Sequence, residues 1–362
     1  MSQRDDVLYK IQELAEQIKD DILNLRNPKI RIPVRSLNNV YFDPVKGHFT
    51  IKSKVKTRRL TASTARSFAQ TLRMLALAKE LIITNDIATK REAYYTAYNW
   101  LEARFQNQQE SDATMDDIEA MLYTIRENLG FIPEERGGDV VGPLIVKDRD
   151  QDGNVLKIDC SNMGSGAYSV PSNVEKLEFE TKADFILAIE TSGMFQRLVK
   201  HKFWNKMNCI LVSMSGVPTR ATRRFIRKLS DDMNLPVYVF TDGDPYGWLN
   251  IYRTLKVGSG NAAHLNEFFC VPRAKYLGVT AQDIIDYDLP THPLKDVDIK
   301  RIYDGLKNDP FVKYHKDWQE NLKLQLKLKK RAEQQALAKY GLNFVITDYL
   351  PKKLKDKNSW LS

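Results

Sequence analysis

The sequence predicts a multi-domain α/β protein, helical in its first part and built on a parallel sheet in its second. Three observations carry this. A chain of 362 residues is long enough for two or three separate cores. Between about Leu60 and Gly130 apolar residues recur at helical spacing, with short turns between the runs. From Val155 onward, short apolar runs at Phe185–Ile189, 209–212 and Val237–Phe240 alternate with helical stretches at 195–201 and Arg220–Met233. That strand–helix–strand order is the pattern of a parallel sheet.

Taken in order, residues 5–27 read as a first helix, because Val7, Ile11, Leu14, Ile18, Ile22 and Leu25 recur at steps of three and four. The stripe suits packing on its own domain or against another chain, and Asn27-Pro28 ends it. Residues 30–57 alternate apolar with polar or basic residues and predict short strands or arms. Helix and arm together make a first segment, 1–58. Runs at 61–79, 90–105 and 115–129 predict three compact helices. A glycine-rich turn at 136–139 and strand-like residues at 140–146 complete a winged helix-turn-helix domain of CAP-like type over 59–148. The α/β region is 149–362, with a long lysine-rich helix expected within 309–339 and no internal repeat.

With 55 Lys and Arg against 46 Asp and Glu, the net charge is +9, which favours a polyanionic partner such as nucleic acid. Three well-separated cysteines, Cys160, Cys209 and Cys270, form no CxxC or zinc spacing, and the five histidines are scattered. A reducing, cytoplasmic compartment is expected, since the N-terminus carries no signal-peptide core and no apolar run approaches a membrane span. No GxxxxGK[ST] loop occurs, so an ATP site would have to come from another chain.

Two places concentrate chemistry. Glu190 directly follows Phe185–Ile189, while Asp242 and Asp244 follow Val237–Phe240 within Thr241-Asp242-Gly243-Asp244-Pro245-Tyr246-Gly247. Ligands of open α/β sheets bind where strands run out. Gly243 predicts a sharp turn between the aspartates, and Pro245 fixes the exit. An isolated Asp-x-Asp is as well read as a solvated turn, but an acid at the end of a second strand points to a cation site. Three convergent carboxylates repel one another, and hard oxygen donors of this kind suit Mg²⁺. The second place is the helix begun by Thr89-Lys90-Arg91-Glu92, which has the form of a capping box. On it Tyr94, Tyr98, Leu101 and Phe105 fall on one apolar face. Tyr95 lies about 100° away, in line with Arg91. A phenol with an ordinary pKa near ~10 needs help to act as a nucleophile, and the Arg91 guanidinium could supply it. Arg220 and Arg223, beyond the middle strand, are DNA contacts or part of a solvated helix face.

The Glu…Asp-x-Asp pattern resembles the Toprim domain of topoisomerases, primases and some nucleases. Gly193-Met194-Phe195, Ser215-Gly216-Val217-Pro218-Thr219-Arg220 and Asp242-Gly243-Asp244-Pro245-Tyr246-Gly247 resemble the form of that domain in the topoisomerase VI A-subunit family. Arg91-Glu92-Ala93-Tyr94-Tyr95 resembles the nucleophile motif of that family and of its relative, the meiotic double-strand-break protein; the second aromatic of the pair maps to Tyr95. Arg136-Gly137, Arg273-Ala274-Lys275-Tyr276-Leu277-Gly278, Trp318, Lys339 and Tyr349-Leu350-Pro351-Lys352-Lys353 extend the resemblance over most of the chain. Thr191 departs from it, since a Lys is expected directly after the acid. The resemblance implies reversible transesterification of double-stranded DNA by Tyr95, with Mg²⁺ held by Glu190, Asp242 and Asp244. It also implies a homodimer and an ATPase B subunit in an A₂B₂ heterotetramer, with the first helix as the candidate B contact, in an archaeal-type cell. The rival readings are a meiotic-type break-forming transesterase, a Toprim nuclease or primase that does not use Tyr95, and a winged-helix DNA binder without catalysis.

Overall fold

The computed structural model describes residues 3–150 and 152–362, so Met1, Ser2 and Gln151 lie outside it. The chain divides into two compact units. The first comprises residues up to Tyr41 together with Phe49–Glu134 and Ser259–Phe268; the second comprises Phe42–His48, Glu135–Gly258 and Phe269–Ser362.

The first unit is organised by helices Gln3–Leu23, Ala65–Thr84, Lys90–Thr96 and Gln108–Leu122. Their apolar stripes meet in one cluster, in which Val7 and Ile11 of the first helix join Met74, Ala78, Ala93, Met115 and Ile118. The first helix therefore packs on its own unit, while Tyr9, Ile22 and Leu23 remain exposed. Strands Lys29–Pro33 and Val55–Arg59 form an antiparallel ribbon. It buries Ile30 and Ile32 against Ile18 and Phe68.

The helix expected at 90–105 is shorter. It holds α geometry only over Lys90–Thr96, then tightens to a 3₁₀ stretch, Ala97–Ala103, with Leu101 at φ 51°. Past that kink the 100° step no longer predicts the face. Ala93, Ala97 and Trp100 are buried, and Tyr98 and Leu101, expected on the apolar side, are 55% and 78% exposed.

The second unit is built on a six-stranded sheet in the order Tyr168–Ser169, Asp139–Val141, Cys209–Ser213, Phe185–Ile189, Val237–Phe240, Lys275–Gly278. The last four strands run parallel. Phe185–Ile189 and Cys209–Ser213 are buried at every position, as expected for parallel strands covered on both faces.

The strand-like segment at 140–146 does not form a hairpin wing on the helical unit. Val140 and Val141 pair antiparallel with Val212 and Leu211. Leu144–Arg149 enters a separate three-stranded antiparallel sheet with Val155–Asp159 and Glu178–Thr181. Ladder bonds are made by the main chain, so the apolar alternation that revealed a strand did not reveal its partner. The lysine-rich helix is also shorter than expected. It spans Lys316–Leu328 and stops where Lys329 turns left-handed; Lys330–Arg331 then pairs with His292–Pro293. The three cysteines are free and buried. Among the described residues no helix is long and apolar enough to cross a membrane.

Candidate active site

Adjacent parallel strands deliver the acids. Phe185–Ile189 and Val237–Phe240 are neighbours in register, so the residues following them emerge side by side. The Glu190 N–H donates to the Phe240 carbonyl (3.0 Å), and its own carbonyl accepts from Gly216 (3.0 Å). Its side-chain Oε2 accepts the Asp242 N–H at 2.8 Å, which joins the two strand ends directly. Asp244 caps the helical turn that follows, its Oδ1 accepting the Gly247 N–H at 2.7 Å. Pro245, just after it, lacks the N–H that would otherwise be unsatisfied there.

Gly243 serves a purpose other than the sharp turn expected. A Cβ there would stand 3.0 Å from Val279 Cγ1 and 3.1 Å from the Val279 carbonyl oxygen, so a side chain would require Val279 to give way. Gly247 is bare for a related reason, since a Cβ would meet the Asp242 carbonyl oxygen at 2.7 Å and Glu190 Oε2 at 3.3 Å.

The sequence reading missed what holds the acidic loop from the far side. Gly243 bridges to Ala332 (N–H to O, 2.8 Å), and Gln325 Nε2 donates to the Gly243 carbonyl at 3.0 Å. Gln334 is fully buried and touches three parts of the site. Its N–H donates to Asp242 Oδ1 (2.8 Å), its Nε2 donates to the Phe240 carbonyl (3.0 Å), and its Oε1 accepts from Thr191 (2.8 Å). Arg331 Nη1 lies 3.4 Å from Asp244 Oδ2. These residues lie about 90 positions beyond the aspartates, in a segment rich in Lys and Gln, and form no motif with them. Below the loop, the buried Tyr276 hydroxyl sits 2.9 Å from Thr241 Oγ1 and accepts from Trp248 Nε1 (2.9 Å).

Burial, reinforced by the Asp242 charge, pushes the Glu190 carboxyl up to about 8. Burial likewise raises Asp242 to about 6, with Asp244 adding to it and the Gln334 N–H and Arg331 opposing. Among the described residues no three His, Cys, Asp or Glu side chains converge closely enough to hold a metal ion as they stand. Glu190 and Asp242 are brought together, whereas Asp244 turns toward Gly247 and Arg331. The donor set nevertheless fits a hard divalent cation. It consists of carboxylate oxygens only, two of them on groups that desolvation and mutual repulsion leave short of positive charge.

In the first unit, Thr89 and Glu92 make the reciprocal capping box, with N–H to side-chain distances of 3.2 and 2.7 Å. Tyr94 is half-buried and its hydroxyl lies 3.1 Å from that of Tyr98. Tyr95 is 53% exposed. Its ring stacks on Tyr98 (centroids 6.0 Å apart, 22° between planes), and the Arg91 guanidinium carbon is 6.0 Å from the Tyr95 ring centroid. Arg220 and Arg223 open the helix Arg220–Met233, both over the Phe269 ring at 4.5 and 5.6 Å, and both are half-buried.

Comparison with known proteins gives the class of a chain with strand-end acids on a parallel sheet and an exposed tyrosine beside an arginine. Residues 185–354 match the Toprim domain shared by Spo11 and the A subunit of topoisomerase 6. Residues 66–131 match the type IIB DNA topoisomerase family, and residues 134–183 match the all-beta domain of the DNA topoisomerase VI alpha subunit. The chain is 58% identical to the A subunit of type 2 DNA topoisomerase 6 from Methanocaldococcus jannaschii, over 97% of its own length and 95% of the relative's. It is 39% identical to the protein of the same name from Methanothermobacter thermautotrophicus (98% and 99% covered) and 39% identical to that from Pyrococcus abyssi (97% and 94%). The chain belongs to the DNA topoisomerase VI A-subunit family. The all-beta segment was not foreseen from sequence, where residues 140–146 were read as a wing.

Proposed function

We propose that this chain is the DNA-cleaving and rejoining subunit of an ATP-dependent type IIB topoisomerase, acting in the cytoplasm on nucleoid DNA. The observation that carries this reading is the pair of adjacent strand-end acids, buried Glu190 and half-buried Asp242, joined by the Asp242 N–H to Glu190 Oε2, in a chain of this family. Tyr95 is the nucleophile. Its phenolate oxygen attacks a DNA phosphorus, the bond from phosphorus to the 3′-oxygen breaks, and the 3′-oxygen leaves with a proton. The product is a 5′-phosphotyrosyl link, which keeps the ester energy for resealing. Arg91 stabilises the phenolate and the attacked phosphate. Glu190, Asp242 and Asp244 hold Mg²⁺, which supplies neutralisation of phosphate charge and orientation of the 3′-hydroxyl. Arg220 and Arg223 are placed to meet the phosphate backbone only if they leave the Phe269 ring, so we assign them a secondary role. The helices Ala65–Thr84, Lys90–Thr96 and Gln108–Leu122 are read as a helix-turn-helix element, without the expected wing, that seats the duplex. The partner is an ATPase B subunit in an A₂B₂ assembly, contacted through the exposed side of Gln3–Leu23. The direct test is a cleavage assay with ATP, Mg²⁺ and the B subunit, stopped by denaturant. DNA-linked peptide containing Tyr95 is the expected product, and its absence under conditions that relax supercoils would overturn the assignment.

Arg331 gives a prediction of opposite sign from an ordinary site residue. Its guanidinium competes with any cation for Asp244 (3.4 Å). Arg331→Met should therefore tighten Mg²⁺ or Mn²⁺ binding several-fold by calorimetry, each ~1.4 kcal/mol of relieved repulsion being tenfold. Weaker binding would show that Arg331 instead holds Asp244 in its ligating position.

A duplex break needs two nucleophiles, which a twofold homodimer supplies. We place Tyr95 of one protomer against the carboxylates of the other. Dimers mixing Tyr95→Phe with Glu190→Ala protomers should then nick one strand, because one site keeps both groups. Mixed dimers that bind DNA without nicking would establish sites in cis.

A further inference from the structure

The net charge of this protein is not spread over it. Residues 29–59 hold nine of the 55 Lys and Arg and one of the 46 Asp and Glu, which leaves the other 331 residues with 46 basic and 45 acidic side chains. The excess that suggested a polyanionic partner therefore sits almost entirely in one 31-residue segment. In the first unit that segment forms the ribbon of Lys29–Pro33 and Val55–Arg59, with Lys29 opposite Arg59, Arg31 opposite Thr57, Ile30 opposite Arg58 and Ile32 opposite Lys56. Side chains directly opposite share a face of the ribbon, so the register sorts the cations into two sets.

The inner face carries Ile30 and Ile32, fully or almost fully buried. Its two cations are bound internally, Lys56 to Asp117 (2.9 Å) and Arg58 to Thr71 and Asp117. Arg35, just past the ribbon, also goes to Asp117 and to Asp116, at 3.0 and 3.3 Å. These three are paired with acids of the helix Gln108–Leu122 and hold the ribbon to it. The outer face carries Lys29, Arg31 and Arg59, and the loop that leads into the second strand carries Lys52 and Lys54. Four of these five are exposed and Lys29 is half-buried. Among the described residues none of the five forms an ion pair, and the ribbon strands contain no acid. A solvated charged face normally mixes signs, as the first helix does with Lys10 on Asp6.

We propose that the outer face of this ribbon is a DNA-gripping surface, one that takes the phosphate backbone of a duplex through residues other than those that cleave it. The proposal rests on the DNA-cleaving reading above. Charge complementarity selects the occupant. Duplex DNA presents one negative charge per ~1.7 Å of axis, and a strand places every second side chain ~6.6 Å along on the same face. A rigid ribbon pinned by Asp117 therefore offers cations in a row at no ordering cost to its backbone. Contacts of this kind carry affinity and not sequence preference.

The test uses the full chain with Lys29→Gln, Arg31→Gln and Arg59→Gln together, the three outer-face cations, and a blunt duplex as probe. Binding is titrated over a range of salt concentrations. Expected is weaker binding at every salt, with the slope of log K against log salt shallower by about 0.9 per lost contact, hence about 2.7 for three, and an unchanged melting temperature and Mg²⁺ titration. Wild-type protein that binds duplex while the triple variant shows the same slope overturns the proposal and leaves the cleavage reading standing. Wild-type protein that binds no duplex overturns the cleavage reading itself. An unchanged slope with loss of co-purification with the B subunit would make the ribbon a protein interface, again overturning the proposal.

Discussion

Tyr95→Phe protein should bind duplex DNA as the wild type does and yield no DNA-linked peptide, a loss of at least ~10⁴-fold in cleavage, as expected when a nucleophile is removed. The substitution deletes one oxygen from a side chain that is 53% exposed, so the helix and its capping box should be undisturbed. The control is the adjacent tyrosine. Tyr94 is half-buried, its hydroxyl sits 3.1 Å from Tyr98, and that hydrogen bond raises its pKa above the ordinary phenol value, which leaves less of it ionised. Tyr94→Phe should keep adduct formation. Tyr94→Ala should cost less than the ~3–5 kcal/mol of a fully buried aromatic. The measurement is denaturant-trapped cleavage followed by peptide mapping of the adduct. If Tyr94→Phe abolished the adduct and Tyr95→Phe did not, the assignment of faces on this helix would be wrong.

Glu190→Gln, Asp242→Asn and Asp244→Asn should each abolish cleavage and weaken Mg²⁺ binding by calorimetry, and Glu190→Gln should at the same time make the metal-free protein more stable. The second effect follows from burial. The folded carboxyl is pushed up to about 8, whereas an unfolded Glu stays near ~4.3. Between those values the folded state binds the proton that the unfolded state has lost. Stability of the metal-free wild type therefore falls as pH rises through that window. Glu190→Gln removes that slope, so its melting temperature at pH 8 in chelator should exceed that of the wild type and vary less with pH. Undiminished Mg²⁺ affinity in all three variants would sink the cation site. A destabilised Glu190→Gln protein would instead mean that the bond from the Asp242 N–H to Glu190 Oε2 (2.8 Å) outweighs the repulsion.

The strand ends and the tyrosine helix were legible because each depends on local pattern. Five consecutive apolar residues at Phe185–Ile189 suit a strand between two covered faces, and the acid that follows them then stands where the strand ends. Thr89 and Glu92 cap within one turn, so the start of the tyrosine helix at Lys90 was readable. Its end was not, since the 3₁₀ kink at Trp100 and Leu101 reflects packing of Trp100 against Phe105 (centroids 5.7 Å apart), which no periodicity encodes.

What the sequence by itself determined is therefore the set of parallel strands, the residues that leave them and the placement of almost all of the positive excess in residues 29–59. What only the tertiary structure decided is partnership. Residues 139–149 joined the sheets of the second unit rather than the helices. Gly243 proved to be bare for closeness to Val279 rather than for a turn. Gln325, Arg331 and Gln334 came back from the C-terminal segment to hold the acidic loop. The physical reason is common to all three. Apolar burial is written in side-chain order along the chain, but ladder bonds, backbone approach and buried polar bridges join groups far apart in sequence and are specified only once the core has brought them together.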